Sequence, residues 1–286
     1  MTLHRERLGF IAAVILYGTI GMFLRYVNLP SEIVAMCRGF IGSGVILLYM
    51  MIKKQPPDKA AIKKNAGLLL ASGILLGLNW IFLFAAYVET TVAVASLCNY
   101  MAPVLVIILA PLILHEKLDR HKLLYVAAAF VGIVLVSGII GGGLGHPKGV
   151  LYGLLAALCF AAIVLCNRGL KDISAFDRAF MQLILSALTI LPYVLLKNRG
   201  LTLKPDLRSV LIILMLSVLQ TGIAYVLYFS GMANLPVQTV AILGYLEPVV
   251  SVLCSAVFLH EPLSLFGWIG AALILGAAVL SETERK

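Results

Sequence analysis

The sequence predicts an all-α polytopic membrane protein, with ten transmembrane helices in two inverted five-helix repeats. Three observations lead there. Hydrophobic residues make up 62% of the 286 and charged residues only 12%, against about 45–50% and about 25% in soluble domains. Apolar runs of membrane-crossing length follow one another with short polar breaks between them. The second half of the chain repeats the pattern of the first. So few charges cannot cover a wetted surface. That excludes a disordered chain, a collagen, a secreted disulfide scaffold and almost any soluble enzyme. The mean hydropathy of +1.04 agrees.

The runs lie at roughly 8–27, 32–52, 66–87, 92–114, 121–140, 149–168, 176–196, 208–230, 236–259 and 263–281. Each is close to the roughly 20 residues that cross a hydrocarbon layer about 30 Å thick. They are too long and too little alternating for barrel strands, and a helix satisfies its own backbone in lipid. The first run follows His4, Arg5 and Arg7 and so resembles a signal peptide. No convincing cleavage site follows it, and it has a counterpart in the second half, so it reads as span one.

An even number of spans puts both termini on one side. With the termini inside, the inner segments hold 15 Lys and Arg and the outer segments 6, while Arg38 lies within span two. The positive-inside rule then places the chain in the inner (cytoplasmic) membrane with both termini cytoplasmic. Loop 197–208 is the exception, with Lys197, Arg199, Lys204 and Arg208 on the outer side. The net charge of +9 thus reads as orientation, not as a nucleic-acid footprint. The basic loop 53–64 suits anionic lipid. The expected partners are membrane lipid, a small-molecule substrate and protons, with no nucleic acid. A monomer and a homodimer are equally compatible with the sequence.

Sliding the chain by 145 residues sets 77–118 against 222–263 without a gap, and ten of the 42 positions are identical. They include Tyr100/Tyr245, Pro103/Pro248 and His115-Glu116/His260-Glu261. A slide of 143 pairs Arg25 with Arg168. The halves are expected at 1–143 and 144–286, joined near Gly141-Gly142-Gly143. Because five is odd, the copies must cross the membrane in opposite senses. Inverted repeats of this kind are a recurrent plan of secondary transporters, with the site near the midplane between them.

The two copies, the Glu-x-Leu that closes spans four and nine (Glu116-Lys117-Leu118 and Glu261-Pro262-Leu263), Leu246-Glu247-Pro248-Val249 and Arg38 resemble the drug/metabolite transporter superfamily, and within it the EamA branch. The resemblance covers nearly the whole chain. It implies a transporter, often an exporter of amino acids or related metabolites. It also implies a central cavity enclosed by spans 1, 3, 4, 6, 8 and 9, with spans 5 and 10 peripheral.

The residues support a site independently. Pro103 and Pro248 sit near the centres of spans four and nine. A proline removes one helical hydrogen bond, which frees the carbonyls of Asn99 and Gly244. Paired interrupted helices point to a transport site; a plain packing kink is the alternative. Around the kinks collect Asn79 and Trp80 in span three, Asn99 and Tyr100 in span four, Gln220 and Tyr225 in span eight, and Tyr245 and Glu247 in span nine. Amides and rings at this depth suit an amphipathic solute, since an amide facing lipid is costly. Glu247 is the sharpest of them. It is expected to exchange protons, to pair with a substrate amine, or to brace span nine while protonated. Arg38 is assigned a structural role, snorkelling outward or reaching Glu32, with a substrate carboxylate as the alternative. Glu116 and Glu261 are expected to favour the N-termini of spans five and ten. Gly73-x-x-x-Gly77 and Gly149-x-x-x-Gly153 are close-packing signals.

Other chemistries find no support. Cys37, Cys98, Cys159, Cys166 and Cys254 all lie in spans and form no C-x-x-C, so no disulfide framework or zinc site is expected. The second His of H-E-x-x-H, a P-loop and a dinucleotide fingerprint are all missing, so neither a metal nor a cofactor is expected. An intramembrane enzyme would need converging catalytic groups, yet all five His lie at span ends or in loops. A structural or sensory membrane protein is the remaining rival, and the paired prolines weigh against it.

Overall fold

A computed structural model describes residues 2–114, 120–136, 147–199, 204–235, 240, 243–261 and 263–283. Among these residues the chain is helical and contains no strand. The helices are α1 (Thr2–Gly18), α2 (Ile20–Leu24), α3 (Ser31–Ile52), α4 (Lys59–Lys64), α5 (Ala66–Glu89), α6 (Val92–Asn99), α7 (Ala102–Leu114), α8 (Arg120–Val136), α9 (Pro147–Arg168), α10 (Ala175–Lys197), α11 (Leu207–Ser217), a π-helical turn Val218–Ile223, α12 (Ala224–Asn234), α13 (Leu246–Phe258) and α14 (Leu265–Thr283). Seven helices or helix runs are long and apolar enough to cross a membrane. They correspond to expected spans one to four and six to eight. The other three expected spans fall on shorter apolar stretches, Leu124–Val136, Leu246–Phe258 and Leu265–Leu280. The His115-Glu116 pair, the Gly141–Gly143 junction and part of loop 197–208 lie outside the described residues.

The helix ends follow from local chemistry. Ser174 caps α10 by accepting the Asp177 N–H at 3.0 Å, and Asp206 caps α11 by accepting from Ser209. Thr91 does the same for α6 through Val94. Each supplies an acceptor to a first-turn N–H that has no carbonyl partner within the helix. The fourth span breaks at Tyr100 and Met101, one turn before Pro103, where the missing proline N–H releases the Asn99 carbonyl.

Helix packing relies on small residues. A Cβ on Gly73 would lie 2.4 Å from Leu185, and one on Gly77 would lie 3.0 Å from the Ser186 carbonyl, both on α10. Gly149 and Gly153 of α9 face Thr90 and Cys98 at similarly short range. Both small-xxx-small pairs therefore mark close approaches, as expected. The main neighbours are α5 with α9, α8 with α14, α3 with α10, α5 with α10, α1 with α12, α6 with α9, α3 with the π-turn, α1 with α13, and α6 with α13.

The exceptional loop 197–208 finds partners at its described ends. Lys197 pairs with the buried Glu32 at 3.1 Å, and the Arg208 guanidinium covers the Tyr26 ring at 4.9 Å. Charges so engaged are tied to the helix ends, which a count of loop cations cannot register.

Candidate functional site

The helices enclose a cavity of about 460 Å³. Its wall is built by α1, α2, α3, α5, α6, α7, α9, α10, α12 and α13, and no described residue of α8 or α14 reaches it. That matches the expected arrangement and adds to it expected spans two and seven, through Arg38 and through Arg178 and Gln182.

Seven of the eight expected binding residues line the cavity: Asn79, Trp80, Asn99, Tyr100, Tyr225, Tyr245 and Glu247. Asn79 donates to the Asn99 amide oxygen at 3.1 Å and to the Ala156 carbonyl at 2.8 Å, which ties α5 to α6 and α9. The Tyr100 hydroxyl lies beside the Glu247 carboxylate. Helix α1 comes in hard against Glu247, because a Cβ on Gly18 would lie 2.6 Å from the Glu247 carbonyl oxygen. Tyr17 meets Tyr225 edge-on at 5.7 Å and Tyr228 at 5.9 Å, forming an aromatic corner beside that contact.

Gln220 does not reach the wall. It is 1% exposed and donates to the Thr19 hydroxyl at 2.7 Å, linking the π-turn to the break between α1 and α2. Of the kink residues, Pro103 lines the cavity, while Pro248 is buried in α13 beside Glu247.

Arg38 differs most from the structural role assigned to it. It neither snorkels nor reaches Glu32, which is engaged by Lys197 and Asn198. It is 4% exposed, and its guanidinium covers Trp80 at 4.7 Å and Phe84 at 5.5 Å. Its Nε donates to Thr221 Oγ1 at 3.0 Å, and Thr221, within the π-turn, in turn donates to the Leu216 carbonyl of α11. Toward the other end of the cavity, Gln182 donates to Asn167 at 2.7 Å and to Ser72 at 2.9 Å, and Arg178 covers Phe229 at 5.6 Å. Sequence reasoning missed this group because cations and amides near helix ends look like ordinary interface anchors.

A hydrogen-bonded chain closes the cavity at the Arg25 end. Tyr87 contacts Ser96, and Ser96 contacts Ser251 at 2.6 Å across α6 and α13. Beyond them the Ser255 hydroxyl accepts from the Ala93 N–H and donates to Glu261 at 2.8 Å. Glu261 also accepts the Val92 N–H at 3.1 Å and pairs with Arg25 at 2.9 Å, and Arg25 reaches the Thr90 carbonyl at 2.8 Å. Glu261 therefore serves a helix N-terminus, but that of α6 instead of the expected span ten. His260 makes this possible. Its φ of 54° turns the chain back so that Glu261 folds over the end of α13. Among the described residues no group of three or more His, Cys, Asp or Glu is placed to hold a metal ion.

The chain is similar to known transporters along its length. An uncharacterized transporter of Bacillus subtilis (strain 168), YxxF, is 26% identical over 281 residues, covering 96% of this chain and 89% of that protein. An uncharacterized transporter of Archaeoglobus fulgidus is 28% identical over 277 residues, covering 96% of each. Protein PecM of Dickeya dadantii (strain 3937) is 28% identical over 214 residues, covering 72% of this chain and 70% of PecM. A solved crystal structure shares the fold with a TM-score of 0.68 at 20% identity, covering 97% of both chains. The pattern of the EamA-like transporter family matches residues 6–138 and again 147–283. The chain therefore belongs to the EamA-like transporter family, within the drug/metabolite transporter superfamily.

Proposed function

We propose that this protein is a secondary transporter that moves a small polar or amphipathic metabolite across the cytoplasmic membrane by alternating access. The observation that carries the reading is the cavity itself. It is bounded by helices from both halves, lined by amides, rings and three charged residues, and shut at one end by a chain of polar contacts. Such a wall grips an amphipathic solute without sequestering it.

In this reading the three shorter apolar stretches also cross, giving ten spans. Residues 1–143 and 144–286 form two inverted units, and both termini are cytoplasmic. The pairing of helices supports the inversion. With expected spans numbered in order, span three packs on six and span eight on one, while span seven packs on three and span two on eight. Each pair becomes the other when every span is replaced by its counterpart in the opposite half. The double match of the family pattern supports the same division. The solute is an amino acid or a related compound, carried outward, and Glu247 couples its movement to protons. Asn79, Trp80, Asn99, Tyr100, Tyr225 and Tyr245 contact it, and the interruptions at Pro103 and Pro248 let the wall re-form on either side. Gln220 acts from behind the wall.

Proteoliposomes test this directly. Saturable flux of an unmodified solute is expected, with a pH dependence that Glu247→Gln abolishes. A pH profile unchanged in Glu247→Gln overturns the coupling role. Chemical conversion of the solute, or no flux across a broad panel of amino acids, organic acids, amines and nucleosides, overturns transport.

A further inference from the structure

We infer that Arg38 is the anchor for a single carboxylate on the solute, so that the cavity selects solutes with one carboxylate and an apolar body. The inference rests on the transporter reading only for the word solute; the binding claim stands on the geometry of the wall.

Arg38 is a permanent cation in a nearly sealed position, 4% exposed. Taking such a charge out of water costs several kcal/mol unless it is paired and hydrogen-bonded. Its surroundings compensate in part. The ring of Trp80 and the ring of Phe84 lie against the guanidinium, and the Nε donates to Thr221. These contacts fix the plane of the group and occupy its near edge. They leave the two terminal nitrogens, which have no hydrogen-bond partner among the described residues. No carboxylate among the described residues forms an ion pair with them. Nor are these nitrogens sealed in protein. The fully buried, partnerless side-chain atoms among the described residues are Thr90 Oγ1 and Gln220 Oε1, so the Arg38 terminal nitrogens open onto the cavity that the residue lines.

A guanidinium held by its rear edge and presenting its fork to a cavity matches a planar carboxylate, which takes two parallel N–H bonds. The wall also argues for one negative charge and against two. Arg38 is the one deep cation of the described lining, Arg178 standing at the other end, and Glu247 faces the same space. A phosphate dianion would meet Glu247 with too little positive charge to offset it. The rest of the body would lie among Trp80, Phe84 and Tyr87, which stack in sequence along α5. A carboxylate on an aromatic or aliphatic body satisfies both halves of this environment.

The chain has two tryptophans. Trp80 touches Arg38, and Trp268 is half-exposed on α14, away from the cavity wall. Trp268→Phe therefore leaves Trp80 as a reporter beside the anchor. The purified Trp268→Phe protein is titrated with phenylacetate, its neutral isostere phenylacetamide, the cation phenethylamine and the dianion phenyl phosphate. Phenylacetate is expected to change Trp80 fluorescence saturably, with the amide and the amine at least tenfold weaker. Arg38→Gln is expected to erase the preference of acid over amide, and Arg38→Lys to retain only part of it. Arg178→Gln is expected to keep it.

Equal binding of acid and amide overturns the inference, and so does a preference that survives Arg38→Gln or vanishes with Arg178→Gln. Tighter binding of phenyl phosphate than of phenylacetate overturns the assignment of a single carboxylate. No response to phenylacetate up to roughly 10 mM, well above the millimolar range of weak binding, overturns the anchor. The ligand series needs no Arg38 variant, so a misfolded Arg38→Gln protein leaves the test intact. Acid-selective binding without saturable flux in proteoliposomes supports the anchor while sinking the transport reading.

Discussion

Glu261→Ala should loosen the closed end of the cavity by an amount that the structure allows to be worked out. The substitution removes three contacts at once. The Val92 N–H lies in the first turn of α6, where no intrahelical carbonyl can receive it, and Val92 is fully buried. Leaving that donor unpaired costs about 1–3 kcal/mol. The Ser255 hydroxyl keeps the Ala93 N–H but loses a charged acceptor, at about 1 kcal/mol. The Arg25 pair has side chains 33% and 20% exposed, and Arg25 keeps the Thr90 carbonyl, so its loss adds only about 0.2–1 kcal/mol. The total is about 2–5 kcal/mol, or roughly 30- to 5,000-fold in a local opening equilibrium. Hydrogen exchange of the protein in lipid nanodiscs reads this out. Peptides covering residues 90–97 should exchange faster by that factor, while a peptide from the centre of α10 should not change. Glu261→Gln keeps an acceptor and loses the charge, so it should stay within about tenfold. A change below roughly threefold at Val92 in the alanine variant, less than about 0.7 kcal/mol, would show that another group caps α6. An equal effect at α10 would show general destabilisation and refute the assignment of a local seal.

Two further substitutions test the frame around the site. Asn79→Leu conserves bulk but leaves the Ala156 carbonyl and the Asn99 side chain without their donor. It should cost about 1–3 kcal/mol and lower the thermal midpoint by a few degrees; an unchanged midpoint would mean that the amide bridge contributes nothing. At Gly222 an added Cβ would lie 2.5 Å from Val45 Cβ, so Gly222→Val should overpack the contact between α3 and the π-turn by about 1–3 kcal/mol. Val45→Gly in the same protein should restore much of that stability, and a strictly additive double mutant would rule out direct contact as the cause.

Much of the architecture was legible because hydropathy and proline act locally. An apolar run specifies a helix wherever it packs, and a missing N–H at Pro103 interrupts that helix whatever surrounds it. The lining residues of α5, α6 and α13 were legible for a related reason, since amides and rings in an apolar run have few acceptable directions to face. Gln220 was misplaced because an amide at membrane depth can be satisfied by a neighbouring helix as well as by a cavity, and here the Thr19 hydroxyl receives it. Arg38 was misjudged because depth along a helix says nothing about direction around it. Its direction depends on Trp80 and Phe84, one turn apart on α5, standing opposite α3. Glu261 was assigned to the nearest helix in sequence. Its actual partner is 169 residues away, and the backbone that brings it there turns on a left-handed His260 that no propensity would suggest.

The two charges that face the deep cavity come from opposite halves of the chain, Arg38 from the first and Glu247 from the second. This bears on how binding could drive a change of shape. A ligand shifts a conformational equilibrium only by the difference in its affinity for the two states. A solute held by one half alone would ride with it and contribute nothing to the difference. One whose carboxylate sits on Arg38 and whose body or amine meets the Glu247 wall is sensitive to the relative position of the halves, because it keeps both contacts in only a narrow range of their separation. The same two helices, α3 and α13, lead away from these residues toward the closed end. Helix α13 carries Ser251 and Ser255 into the hydrogen-bonded chain, while α3 holds Glu32 against Lys197 beyond it. Closure at that end and occupancy at Arg38 and Glu247 therefore draw on the same rigid elements. The Glu261 substitutions, which alter closure without touching the cavity wall, should for that reason change the affinity for phenylacetate as well as the exchange at Val92.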